Sequence, residues 1–516
     1  MDYYSANYNR GVLAIIGNLL VNISVGEVNL LGFLYPYFVS YFRITDPTVT
    51  LKSMKIIPMC WLLVQIVSCP LGIFTYMKFG FKLTYLIFLT TFCLVQFLSS
   101  YIQNHLIFCI VYGVSGGLSQ GALMILPLYC GWRYFREKYK PRIAGILVSA
   151  YAIAPLFMSQ IALYLINPNN EREVQDEVTK QFYFEESVAQ NVPYFLRFFG
   201  IFCFVLGLAG VFLIWEPVEG IVDLENAVMK ATALGMGSNR AEEIKANMLA
   251  KREGKKMEGI TKQSFGDAIK CFYKKEFMIL FSICLVGFIY PHMMNFCFKD
   301  IGMRTLNDDH FVTFAGSIGA LVNGASRLVV GFLMEKYPYY KIMIGIILLE
   351  VLASQTFLIF ANFRYSYILG TAMFEMTYGG QLGITPLICD KLFKDKGAIT
   401  YSYILSAFTF SLIVSLSFYT EFVDEIGQTW LFLVVGVVSA LNYFLVDMIK
   451  DYEKGEVGKE ENETALEYGI RLEDYRQMNT SLRKKEDLGS GSESDASSDQ
   501  EGGGAGGKKG KGQFLY

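Results

Sequence analysis

Apolar residues along this chain neither alternate nor form stripes; they fall in unbroken blocks divided by short polar loops. A block of about 20 residues, at about 1.5 Å of rise each, crosses roughly 30 Å of hydrocarbon as a helix. Twelve such blocks are legible. Six run over 11–42, 54–77, 83–101, 106–130, 143–166 and 194–215. The other six run over 277–298, 311–334, 342–361, 365–387, 398–419 and 430–447. The pattern predicts an all-α membrane protein with twelve transmembrane helices in two six-helix halves, residues 1–215 and 277–448. Residues 216–276 form a cytoplasmic linker and 449–516 a disordered cytoplasmic tail. Two such halves face each other across a pathway.

Lysine and arginine in the short loops set the orientation. With both termini cytoplasmic, the inner loops hold Lys78 and Lys82; Arg133, Arg136, Lys138, Lys140 and Arg142; Lys336 and Lys341; and Lys391, Lys394 and Lys396. The opposite loops carry acids instead, Glu171, Glu173, Asp176, Glu177, Glu185 and Glu186 in one and Glu421, Asp424 and Glu425 in another. The bias places both ends in the cytoplasm of a multi-pass protein and does not distinguish the plasma membrane from an organelle membrane. In the linker, AEEIKANMLAKREGKKMEGI reads either as a basic amphipathic helix on the inner leaflet or as a solvated tether. The tail's GSGSESDASSDQEGGGAGGKKGKG has too few apolar residues to offset the entropy of ordering, and its acidic serines suit phosphorylation.

Composition removes several function classes. The chain is 53% hydrophobic with a net charge of -2, its charges are segregated by loop, and no basic stripe suits nucleic acid. Ten cysteines are scattered without the spacing of a zinc site or a disulfide framework, and read as packing residues. No phosphate-cradling loop, metal-ligand spacing or nucleophile with a base is evident, so neither an enzyme nor a nucleotide, metal or other cofactor is expected. The polar start, MDYYSANYNR, followed by a long apolar block, does not predict a cleavable signal peptide.

Charges inside the apolar blocks carry the chemistry. The stretch FVTFAGSIGALVNGASRLVVGFLMEKYPYYK, 311–341, holds Arg327 with Asn323 one turn earlier on the same face. A guanidinium is not deprotonated and lipid does not solvate it, so it must meet water, an anion or a carboxylate. Its fork of donors suits bidentate binding of a carboxylate; the alternative is that it snorkels or ties down a neighbouring helix. Glu27 and Glu375 lie near the middles of the first and tenth spans. Each must be protonated or paired, and each is a candidate either for a coupling proton or for bridging helices. His292, after Pro291, reads first as a packed or hydrogen-bonded core histidine and second, because it titrates in a useful range, as a coupling candidate.

Two loops carry a resemblance. MKFGFK, with Lys78, Gly80 and Lys82, and GFLMEKYPYYK, with Gly331, Glu335, Lys336 and Lys341, resemble the paired signature loops of the major facilitator superfamily. Met77 stands where the first loop's acid is usual. Tyr112, Gly113 and Pro127, the WRYF of 132–135, Ile143, Ala144 and Gly145, and Gly380, Pro386, Asp390, Phe393 and Tyr401 resemble the branch of oxalate/formate antiporters and monocarboxylate transporters. The likeness spans about residues 11–448. It implies the major facilitator fold and an eighth-span arginine that binds the substrate's carboxylate, the position of Arg327. It also places Tyr151, Tyr378 and Gln381 on cavity-lining spans. Asn323 stands where lactate-type members have an acid, and Phe408 where oxalate exchangers have a second cation. One fixed cation suits one carboxylate.

The expected function is secondary transport of a small organic anion, a monocarboxylate, by proton symport or anion exchange, with the bilayer and the coupling proton as further partners. One alternative is an amino acid or other carboxylated metabolite, its ammonium met by Glu27 and Glu375. Another is a transport-inactive receptor or scaffold acting through the linker and tail.

Overall fold

The first apolar block does not form one helix. Helix α1 (Tyr3–Ser24) stops midway, a 3-10 turn covers Gly26–Leu30, and α2 (Leu31–Arg43) completes the span. The computed structural model describes residues 3–135, 139–176, 182–215, 270–306, 308–393, 397–467 and 473. The linker stretch 241–260 and the tail sequence from 489 onward lie outside them. The chain divides into one unit of Met1–Asn226 and Met248–Glu456 and another of Ala227–Asn247 and Val457–Tyr516. Everything below concerns the first.

Helix α3 (Ile56–Ser99) contains the second and third spans and is broken at Gly80, whose φ of 77° and ψ of 174° suit only glycine. The half continues with α4 (His105–Trp132), α5 (Lys140–Ile166), the short α6 (Glu186–Ala189) and α7 (Val192–Leu213). Between α5 and α6 a small antiparallel hairpin pairs β1 (Val174–Gln175) with β2 (Phe182–Tyr183). The second half repeats the broken first span as α8 (Lys275–Gly287) and α9 (Ile289–Leu306), separated at Phe288. Helices α10 (Asp309–Lys336), α11 (Tyr339–Phe360) and α12 (Arg364–Phe393) follow. Helix α13 (Gly397–Glu467) holds the last two spans and breaks at Gly427, φ 79°.

Among the described residues nine helical stretches are long and apolar enough to cross a bilayer, and one, Leu51–Ser99, has 49 residues and holds two spans. The interrupted first span and the more polar α12 complete the twelve-span, all-α membrane fold in two halves. Several boundaries differ from the sequence reading, three of them with consequences. The seventh span runs on to Leu306 and the eighth begins at Asp309, which draws Lys299 and Asp309 inside the protein, 1% and 2% exposed. Helix α13 continues past 448, where the tail was expected to begin. There the Glu453 carboxylate accepts the Tyr339 amide at 2.9 Å and the Lys391 ammonium at 2.7 Å. An anion at the start of α11 complements its free amides.

Each half packs its own apolar core, around Trp61, Phe81 and Tyr85 in the first and Tyr290, Phe357 and Tyr367 in the second. A further cluster joins Cys69, Ile125 and Leu128 to Leu280 and Leu382 across the halves. Across the halves α5 lies directly on α10. A Cβ at Gly145 would lie 3.0 Å from Arg327 O, and one at Gly331 would lie 2.7 Å from Pro141 O. Small residues let these two backbones touch.

Candidate functional site

The seam between α5 and α10, flanked by the broken first spans of both halves and by α12, holds a small cavity of about 30 Å³. Its polar wall is Ser159 from α5, Asn295 and Lys299 from α9, Thr313 and Asn323 from α10, and Glu375 and Tyr378 from α12. Arg327 sits one turn behind Asn323, fully buried and off the wall itself. Its Nε donates to Asn323 Oδ1 at 2.8 Å and its Nη1 to the Val148 carbonyl of α5 at 3.0 Å, while Nη2 has no hydrogen-bond partner. The Tyr151 ring lies 5.9 Å from the guanidinium carbon. On its other side the Asn323 amide donates Nδ2 to Glu375 Oε2 at 2.6 Å. A neutral carboxamide therefore stands between the cation and the carboxylate, each end turned to the charge it complements.

The other sequence-predicted residues divide. Tyr151 and Tyr378 join this group, and Glu375 joins it where Glu27 does not. Glu27 accepts Gln96 Nε2 at 2.7 Å and the Tyr112 hydroxyl, both within the first half. His292 places Nδ1 3.4 Å from Ser411 Oγ and meets Phe408 edge to face at 4.2 Å, off the cavity wall. Gln381 does not reach the cavity. Its Nε2 donates to Gly287 O at 2.9 Å and to Glu350 Oε2 at 2.7 Å, inside the second half. Glu350 went unread in the sequence, although a lone acid in IILLEVLAS, mid-span, was signal enough.

Lys299 was also missed, because it and Asp309 border the polar run GMRTLND. Its ammonium lies 3.0 Å from Asp309 Oδ1, 3.4 Å from the Phe33 carbonyl and 3.8 Å from the Phe33 ring centroid. Asp309 Oδ2 accepts the Tyr37 hydroxyl at 2.7 Å and Asn167 Nδ2 at 3.1 Å. This cluster ties α2 and the end of α5 to α9 and α10, at the end of the molecule away from the linker. In the adjoining loop the Glu173 carboxyl is pushed up to about 7 by burial, against the pull of Lys299.

At the linker end, the second signature loop meets α5. Glu335 takes Arg142 through both oxygens, at 2.6 and 2.8 Å, and Lys140 lies 3.4 Å from Asp390 Oδ2. In the first signature loop Gly80 supplies the break, Lys82 lies 4.3 Å from the Trp215 ring centroid and Lys78 5.2 Å from that of Phe79. Lys336 and Lys341 are exposed.

The family model described as Major Facilitator Superfamily matches residues 18–400. Among solved structures the chain is similar to the proton:xylose symporter XylE bound to 6-bromo-6-deoxy-D-glucose. That match has a TM-score of 0.58 and 13% identity over 86% of this chain and 95% of the other. A D-xylose-proton symporter matches with a TM-score of 0.56 and 11% identity, over 84% of this chain and 96% of that one. At such identity the likeness is one of fold. No curated protein matches the sequence.

Proposed function

This chain belongs to the Major Facilitator Superfamily, whose members are transporters, and from that premise we propose that it carries a small organic anion bearing one carboxylate. The observation that carries the reading is the buried Arg327 guanidinium, held by neutral acceptors, with one nitrogen unpartnered and a single amide between it and the cavity. A carboxylate entering the cavity competes with Asn323 for the guanidinium fork. Once Asn323 turns aside, Nε and Nη2 present two parallel donors.

Glu375 then loses its amide donor just as a second negative charge arrives in a water-poor site. Both changes favour its protonated form, so anion and proton enter together and the cycle is a symport. If Glu375 stays neutral throughout, the same site exchanges one anion for another. Lys299 is neutralised by Asp309, which leaves one cation for the substrate and supports a monocarboxylate, in keeping with the resemblance to the oxalate/formate and monocarboxylate branch. Alternating access follows if the Arg142–Glu335 contact at one end and the Tyr37–Asp309 and Asn167–Asp309 contacts at the other open in turn. The cation-rich loops support a cytoplasmic linker end. The bound solute must stabilise one open state over the other, since equal binding shifts nothing.

The test is uptake by the purified chain in liposomes, across labelled monocarboxylates, dicarboxylates and amino acids, with xylose as a neutral control, with and without a pH gradient. Arg327→Ala is expected to lower uptake of the best acid by about 100-fold, the cost of leaving a buried charge contact unmade. Arg327→Lys, a point charge without the fork, falls between. Undiminished uptake of every acid in both variants overturns the assignment. An amino-acid substrate is the second reading, favoured by the Glu375 carboxylate on the cavity wall, where it would meet an ammonium; strong competition by amino acids over plain acids would select it.

A further inference from the structure

A second carboxylate network lies away from the cavity, inside the second half. Glu350, mid-way along α11, is fully buried. Its Oε1 accepts Ser439 Oγ of α13 at 2.7 Å and its Oε2 accepts Gln381 Nε2 of α12 at 2.7 Å. Gln381 Nε2 also donates to the carbonyl of Gly287, the last residue of half-helix α8, at 2.9 Å. Asn442, one turn beyond Ser439 on the same face of α13, spends its Nδ2 on Ile283 O at 3.1 Å.

The amide donors are engaged and the acceptors are not. Gln381 Oε1 and Asn442 Oδ1 have no hydrogen-bond partner, although the two residues are 1% and 0% exposed. The Tyr290 hydroxyl, in the first turn of α9 and within electrostatic reach of Glu350, also has none. The two carboxamides converge: a Cβ built on Gly287 would lie 2.5 Å from Gln381 Oε1 and 2.9 Å from Asn442 Nδ2.

Buried acceptors left unpaired beside a buried carboxylate are costly. Among the described residues no lysine or arginine pairs with Glu350. The only ionisable group found facing it from a neighbouring described element is Tyr290 of α9; α8, α12 and α13 present backbone or uncharged side chains there. The C-terminal end of α8 adds the negative pole of its dipole and carbonyls without helical partners. Interrupted membrane helices use such ends, with acidic and amide oxygens, to hold small cations.

We propose that Glu350, Gln381, Asn442 and the Gly287 carbonyl form a binding site for a small monovalent cation, a sodium ion or a proton. A sodium ion would draw the orphaned amide oxygens and the carboxylate around itself. A proton would reside on Glu350, whose hydroxyl then donates to one of those oxygens. Either occupant joins α11, α12 and α13 to the break between α8 and α9, and α9 is the element that carries Asn295 and Lys299 into the cavity. The site thus gives the cation a mechanical route to the substrate seam, whichever solute the seam takes.

The experiment is thermal unfolding of the purified full-length chain in detergent, over a sodium series with choline holding ionic strength constant, and over a pH series without sodium. A ligand that binds only the folded chain raises the unfolding temperature along a saturating curve. A sodium site gives that curve in the first series, backed by retention of radioactive sodium in equilibrium dialysis. A proton site gives it only in the second, as the difference between parent and Glu350→Gln. Glu350→Gln supplies amide donors without charge, so it is expected to fold and to lose the response. Asn442→Ala keeps the carboxylate and is expected to shift the midpoint by about tenfold, the loss of one contact to a charged group. If Glu350→Gln does not fold, Asn442→Ala decides alone. A parent indifferent to both series, or variants that respond as the parent does, would mean that the oxygens hold only water, and overturns the proposal.

Discussion

At the scale of single residues, the site is governed by what separates charges rather than by the charges themselves. Arg327 was legible because a lone guanidinium in an apolar run demands an explanation, and Glu375 for the same reason. That Asn323 bridges them, and that Gln381 turns away towards Glu350, was not, because both depend on helix rotation within a bundle whose every face is apolar. Lys299 and Asp309 were hidden by their place beside polar loop residues, where a hydropathy reading ends a span too soon. Glu173 gives a prediction at this scale. Its folded carboxyl is raised from 4.5 to about 7, so between those values the folded chain keeps a proton that the unfolded chain releases. The stability this contributes is full below about 4.5 and is lost as pH rises through about 7. Glu173→Gln should flatten that part of the unfolding-temperature curve; an unchanged slope would count against a half-buried, proton-holding Glu173.

At the scale of elements, number and order were readable and continuity was not. Apolar blocks announce a span by length alone, but the breaks at Val25 and at Phe288 carry no proline at the break itself; Pro36 and Pro291 lie inside the helices that follow. At the break in the first span contact calls for a glycine, since a Cβ on Gly26 would lie 2.3 Å from that of Ala154 on α5. Gly80 shows the opposite case, a signature-loop glycine whose backbone alone accounts for it. Gly80→Ala should destabilise the chain by about 1–3 kcal/mol, the usual cost of a side chain in that region. Thermal unfolding of the reconstituted variant measures this, and a shift of zero would show that the loop relaxes to another conformation.

At the scale of the whole molecule, contacts between the halves lie at both ends of the seam. The Arg142–Glu335 fork holds the linker end although Met77 replaces the acid in the other signature loop, so the closure is lopsided. Arg142→Gln should favour separation at that end by about tenfold, the worth of a charge-assisted pair. Spin labels at the exposed Lys78 and Lys336 would report it as a longer distance; an unchanged distribution would mean that the α5–α10 backbone contact and the Lys140–Asp390 pair keep that end shut. The prolongation of α13 has a practical corollary. With Glu453 seated under the first turn of α11 and against Lys391, shortening the chain at 448 removes an anchor from the helix that bears Glu350. Shortening it at 467 spares that anchor, so a fluorescent reporter should be joined no earlier than there.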